Sequence, residues 1–262
     1  MTKAGFSEFS YGYAVTEDIA SSAPRRIAPI FPSLTEEGKT GGGYDLKLDL
    51  PGFPMFLQFK LSDWMVRPYA TEAKSGYLQN PFYRIPLRPL KESQQHQLLL
   101  DLELAANDVY YVAPAFHLDT ELNSVYQSHQ VADRSVFIMP SDIGPLPDSD
   151  QHYLSFQNDQ STFGYLFSKS PQKVKIRRWG QVSEASLARV KQTTKSQKRL
   201  ADVLNTIEQS MFETLERRFR EKEVEWKAIS HAREREEQPR RIASLSQVFF
   251  DCTLFIVQVR EQ

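Results

Sequence analysis

Gly43-Tyr44-Asp45-Leu46-Lys47-Leu48-Asp49-Leu50-Pro51-Gly52-Phe53-Pro54-Met55-Phe56-Leu57-Gln58-Phe59-Lys60 reads as two alternating strands folded about a Pro/Gly turn. A strand sends successive side chains to opposite faces, so Leu46, Leu48 and Leu50 share one side while Asp45, Lys47 and Asp49 share the other. In the second strand Leu57, Phe59 and Leu61 oppose Phe56, Gln58 and Lys60. Folding back about Gly52-Phe53 sets Asp45 directly across from Lys60 and Lys47 across from Gln58, with Asp45 diagonal to the amide. An acid, an amide oxygen and an ammonium then converge on one sheet face.

Outward from this stretch, the chain of 262 residues is 40% hydrophobic and 12% aromatic, enough for a real core in one elaborated domain or two small ones. Its net charge of −1 gives no overall attraction to nucleic acid, so any such binding must come from local patches. The single cysteine, Cys252, excludes internal disulfides and a Cys-rich zinc site, and its apolar surroundings in sequence mark it as a buried thiol. The start, Met1–Glu8, lacks the apolar run of a signal peptide, and Ser246–Val259 is interrupted by Asp251 and too short to span a bilayer. A cytoplasmic protein with no membrane association is the expectation.

Residues 5–20 suit a helix on the spacing of Phe6, Phe9, Tyr13, Val15 and Ile19. Residues 62–89 are rich in proline and aromatics and read as irregular. Helices are expected over 92–106, with Ser93 as N-cap, and over 119–131; strands are expected over 108–114, 135–139 and 152–156. From Leu200, the residues Leu204, Ile207, Met211, Leu215 and Phe219 recur at steps of three and four, which marks an amphipathic helix over 200–219 whose stripe reads as core or as a helix-pairing seam, the latter for a second copy or a partner protein. The chain closes with a strand over 253–259. A change of character after Pro171 divides the sequence into 1–171 and a charged, helical 172–262.

The order helix, Asp-bearing strand, Gln-x-Lys strand, helix, strand resembles the core of the restriction-endonuclease-like PD-(D/E)xK nuclease superfamily. The resemblance covers residues 5–115 and is closest to the Gln-x-Lys branch found among Mrr-like restriction enzymes and phage-defence effectors. It implies an α/β fold, a mixed sheet flanked by helices, extended here by the charged helical C-terminal region. It also implies that Asp45 and Gln58 hold Mg²⁺ or Mn²⁺ and that Lys60 orients the attacking water or stabilises charge. The chemistry is independent of the family: phosphodiester hydrolysis needs a divalent cation, and oxygen ligands suit magnesium. Because Gln58 stands where the family usually has Glu, a further acid should help. The first helix offers Glu8 and Glu17, of which Glu17 is favoured. Gln97 on the following helix is another candidate, although Gln94, Gln95 and Gln97 all look like ordinary exposed helix residues.

The five histidines are scattered without metal-ligand spacing, no Gly-x-Ser-x-Gly elbow is present, and Gly41-Gly42-Gly43 precedes a strand rather than a phosphate-binding helix. Lys173 to Arg199 holds nine Lys/Arg against one acid, Glu184. Lys173, Lys175, Arg177, Arg178, Lys198 and Arg199 are therefore candidate phosphate contacts, with Trp179 available to stack on a base. The expected function is metal-dependent cleavage of DNA, with a role in restriction or anti-phage defence that rests on the resemblance alone. With no motor or sensor in the sequence, an ATPase or sensor protein is the implied partner. Two readings stand beside it: a non-catalytic subunit with a nuclease-derived fold, and a nucleic-acid-binding module acting through the basic segment. The bland reading of Asp45, Gln58 and Lys60 is the solvent-facing side of a hairpin.

Overall fold

The computed structural model describes residues 1–21, 52–104, 108–168, 170–196, 199–218 and 238–258. Asp45 with the whole 45–50 segment, Lys198, Phe219 and Val259 lie outside these. The chain is mixed α/β with two sheets. It divides into two compact units: Met1–Pro29, Gln58–Gln97 and Tyr110–Ser183 form one, and Ile30–Leu57, Leu98–Val109 and Glu184–Gln262 the other. The chain passes repeatedly from one to the other, unlike the single break expected at 171/172.

In the first unit, helix α1 (Glu8–Ser21) buries Tyr11, Ala14, Val15 and Asp18. This face is rotated from the expected one, and Phe9 and Tyr13 are exposed. The reason is Gly12: a Cβ there would stand 2.8 Å from the Phe59 ring, so the helix can approach only along its glycine side. Tyr11 then meets Phe59 edge-on at 6.0 Å and Phe116 at 6.1 Å, and its hydroxyl donates to Ser135 Oγ at 2.7 Å. Asp18 accepts the Ala132 N–H at 2.8 Å. Burying each of these rings is worth roughly 1.5–3 kcal/mol.

The same unit holds a five-stranded antiparallel sheet in the order β2 (Asp63–Met65), β3 (Phe82–Leu87), β6 (His152–Phe156), β7 (Phe163–Phe167), β8 (Gln172–Lys175). Residues 62–89, expected to be irregular, thus contain two strands and the short helix α2 (Thr71–Lys74). Pro86 hid β3, yet its missing N–H is tolerated because it sits near the strand's end. The elements β4 (Asp108–Pro114), β6 and α4 (Asp119–Gln127) lie where the sequence places them, and β5 (Ser135–Ile138) pairs antiparallel with β4. Helix α3 (Gln95–Leu104) begins at Ser93, whose hydroxyl accepts the Gln95 N–H at 3.2 Å as an N-cap does. A short helix α5 (Pro140–Ile143) follows β5.

Of the expected hairpin, only the second strand lies among the described residues, as β1 (Gly52–Phe59). Its Met55, Phe56 and Leu57 pair antiparallel with Phe255, Leu254 and Thr253 of β9 (Thr253–Gln258). Just past its other end, the Lys60 N–H donates to Val112 O of β4 at 2.9 Å, and β1 lies between β4 and β9 in the order β5-β4-β1-β9. Every pair of strands whose register is described is antiparallel.

In the second unit, helix α7 (Leu200–Arg218) buries Leu200, Leu204, Ile207, Met211 and Leu215 as its periodicity predicts. The stripe is covered within the chain, where α8 (Gln238–Phe249) ties to it through Arg241 and Gln238 on Glu208. It is therefore core and not a seam for a second copy. Cys252 is buried, and burial pushes its thiol well above the ordinary value. No helix among the described residues is long and apolar enough to cross a membrane.

Candidate active site

Gln58 and Lys60 leave β1 on the same side and are both buried, at 1% and 6% exposure. A buried ammonium and a buried amide each need partners, and one residue of α3 supplies them. Lys60 Nζ donates to Gln95 Oε1 at 2.9 Å, and Gln95 Nε2 donates to Gln58 Oε1 at 3.0 Å. Gln58 Nε2 closes the chain on the Phe59 carbonyl at 3.0 Å.

The direction of this relay is set from both ends. The Phe59 carbonyl can only accept, so Gln58 must turn its NH₂ toward it and present its oxygen to Gln95. Gln95 must then donate with its NH₂, which turns its own oxygen to the lysine. The lysine can only donate. Both amides are thereby fixed in one orientation, with Gln95 Oε1 turned to the ammonium and Gln58 Oε1 turned to the Gln95 amide.

Gln95 was not distinguishable in the sequence from Gln94 and Gln97, yet it is the one of the three that is buried. The signal was its phase. Gln95 stands three and four residues before Leu98 and Leu99, and three more before Leu102, on the buried stripe of α3.

Lys60 opens on a cavity of about 340 Å³. Its charged lining is Lys3, Glu8, Lys60, Asp63, Arg88 and Glu92, three cations and three carboxylates. Burial raises the Asp63 carboxyl above its ordinary value despite the nearby charges of Lys3 and Arg84. The acid that α1 brings to the cavity is Glu8. Glu17 is nine residues further along the helix, about 13 Å along its axis, and its charge acts on Tyr126 of α4 instead. Asp45, the third member of the expected set, lies outside the described residues.

The basic candidates separate by environment. Lys173 and Lys175 are exposed on β8, a strand and not a helix. Arg177 is ion-paired with Asp142, Arg178 donates to Gln160 at 2.9 Å, and Arg199 pairs with Asp202 at 3.3 Å at the start of α7. Trp179, at the start of α6 (Trp179–Lys195), is half-buried and packs on Phe137 with ring centroids 5.7 Å apart.

His96, next to Gln95 and 3% exposed, is a structural anchor of the same helix. Its Nε2 lies 2.7 Å from Gly144 O and must donate, so Nδ1 accepts from Tyr111 OH at 3.0 Å. Gly144 presents that carbonyl from φ +73°, ψ −175°, a conformation essentially reserved for glycine. Burial lowers the His96 pKa from its ordinary value of 6.5; the Gly144 bond opposes this and the His152 charge adds to it. The unfolded chain therefore takes up a proton first as pH falls. Stability present above the unfolded value of about 6.5 should decline below it and level off under the folded value. Urea unfolding between about pH 8 and about pH 5 should show this loss, and His96→Gln should flatten it; an equally steep profile in the variant would assign the effect elsewhere.

No protein-family model, curated protein or solved structure matches this chain.

Proposed function

We propose that this protein is a divalent-metal-dependent nuclease that cleaves DNA phosphodiester bonds, built on a restriction-endonuclease-like core. The observation that carries the reading is the buried Lys60–Gln95–Gln58 relay, whose lysine lines a cavity that also holds carboxylates and further cations. A buried ammonium is costly unless it is paired and hydrogen-bonded, and Gln95 Oε1 is one partner that holds this one in place. Helix α1 precedes β1, Gln58-x-Lys60 stands at the end of β1, and α3 and β4 follow after β2, α2 and β3, with β1 beside β4; this supports the same reading.

The donor set suits magnesium. Gln58 Oε1 is a hard oxygen, and Glu8, Asp63 and Glu92 stand around the cavity. Among the described residues no group of three His, Cys, Asp or Glu meets, but magnesium keeps several waters and takes only one or two carboxylates. In this reading Asp45 and Gln58 would hold the ion. When bound, it would lower the pKa of an attacking water and offset charge on the phosphorane. Lys60 contributes a fixed positive charge where the phosphoryl oxygens become more negative, and Gln95 keeps the ammonium aimed. Lys3 and Arg88, which also line the cavity, would hold flanking phosphates.

The test is incubation of plasmid and linear DNA with the purified protein in Mg²⁺, Mn²⁺ or EDTA, beside Asp45→Ala and Gln58→Glu. Cleavage should require the metal, vanish in Asp45→Ala and persist or rise in Gln58→Glu, whose added charge draws the cation closer. Cleavage that survives Asp45→Ala removes the assignment. No cleavage by the wild type under any of these conditions would move the reading to a binding subunit.

A further inference from the structure

The outer edge of the five-stranded sheet carries a second arrangement that the cavity does not use. Phe163, Tyr165 and Phe167 alternate along β7 and so share one face. Directly across on β8, Lys175 pairs with Phe163 and Lys173 with Tyr165, so both lysines stand on that face too. Tyr77, from the loop after α2, lies edge-on over Tyr165 at 4.9 Å and Phe167 at 5.7 Å. Tyr165 in turn meets Phe163 at 5.6 Å. Tyr77 and Phe163 are 41% and 40% exposed, whereas Tyr165 beneath them packs on the Met65, Leu78 and Phe82 cluster. Two exposed rings are thus clamped by a third, within about three base-stacking steps of 3.4 Å of each other.

The charge around these rings is one-sided. Lys173 lies over the Phe163 ring at 3.9 Å, Lys175 is exposed, and Lys74 is exposed on α2 three residues before Tyr77. Arg178 reaches the β6–β7 turn at Gln160. The acids of the same elements are engaged by arginines: Glu72 by Arg84 and Asp159 by Arg134.

We propose that Tyr77, Phe163, Lys173 and Lys175 form a docking platform for single-stranded DNA. Rigid rings flanked by lysines match unpaired bases joined by phosphates, since every base has a stacking face and every link a negative charge. A duplex keeps its bases inside its stack and offers these rings nothing beyond its ends. The choice of DNA over RNA rests on the proposed nuclease function; the platform itself does not.

The experiment is fluorescence anisotropy in EDTA with a short labelled oligonucleotide as single-stranded DNA, duplex DNA and single-stranded RNA. Binding in EDTA is independent of cleavage, so a failed platform and a failed nuclease give separate results. Single-stranded DNA should bind about 10-fold tighter than duplex. Tyr77→Ala with Phe163→Leu should weaken single-strand binding about 10-fold and leave duplex binding unchanged. Lys173→Ala with Lys175→Ala should lower the slope of log affinity against log salt by about 1.4. The aromatic pair is chosen to preserve the fold, with Leu keeping apolar volume at position 163. Should that pair unfold, Phe163→Leu alone gives the same comparison. Equal affinity for single strand and duplex, unchanged single-strand affinity in a folded ring variant, or tighter binding of RNA would each overturn the proposal.

Discussion

If the proposed nuclease function holds, Lys60→Met should reduce metal-dependent DNA cleavage by about 100-fold or more while leaving the protein folded. The size follows from the kind of contact being removed: one preorganised positive donor aimed at developing charge in a desolvated site is worth about 10²–10³ in rate. In the proposed function Lys60 would be such a donor, being 6% exposed and held by Gln95 Oε1 at 2.9 Å. Methionine keeps the length and the apolar stem, so the change removes the ammonium and little else. It leaves Gln95 Oε1 with one partner fewer in a buried place, a cost of about 1–3 kcal/mol that urea unfolding would register. Gln95→Met makes the complementary test. It keeps the charge and removes the aim, so cleavage should fall less than in Lys60→Met. Wild-type cleavage by a folded Lys60→Met protein would make the relay a structural device alone.

How much of this was legible beforehand depended on whether the deciding contact was local. The α7 stripe from Leu200 to Leu215 could be read because helical periodicity is a property of the segment itself. The same holds for β4 and β6, dense in strand formers and bounded by turn residues. The partner of β1 could not be read in this way. A Pro/Gly pair beside an alternating run argues for a hairpin, but the sheet edge at Met55–Leu57 is taken by residues 253–255 from the far end of the chain. The face of α1 was hidden for a related reason: aromatic residues at helical spacing fit two phases, and Gly12 against Phe59 chooses between them. Gln58 and Lys60 were visible as a motif, and their shared face followed from strand geometry alone. What joins them, Gln95, comes from a helix that propensity places without saying which glutamine turns inward. The aromatic ladder of β7 stayed unseen because β7 and β8 are short and gain their meaning only as neighbours.

The largest effect on stability should come from Arg84→Met, which should lower the unfolding free energy by about 3–5 kcal/mol. Glu72 is 1% exposed, and its carboxylate is held from three sides. Arg84 donates from Nε at 2.7 Å and from Nη2 at 2.5 Å, and Ser155 Oγ donates at 2.9 Å. Removing the arginine strands a carboxylate that has lost water and now loses its counter-charge, which is the costly way to break a buried pair. Arg84→Lys should recover only part of the loss, because an ammonium cannot reproduce the two-pronged fork. Glu72→Met with Arg84→Met should be less harmful than Arg84→Met alone, since two apolar side chains leave no charge behind. Urea unfolding with matched m-values for the wild type, Arg84→Lys, Arg84→Met, Glu72→Met and the double methionine variant measures each term, and additive single and double losses would show that the pair is not coupled. The position of the pair gives the loss a functional reading as well. Glu72 ties α2 to β3 and β6 of the sheet, and α2 leads directly into Tyr77. Arg84 also stands directly across from Asp63, which lines the cavity. Arg84→Met should therefore weaken single-strand binding even where the protein remains mostly folded, whereas Lys60→Met, which changes neither α2 nor its anchor, should leave that binding intact.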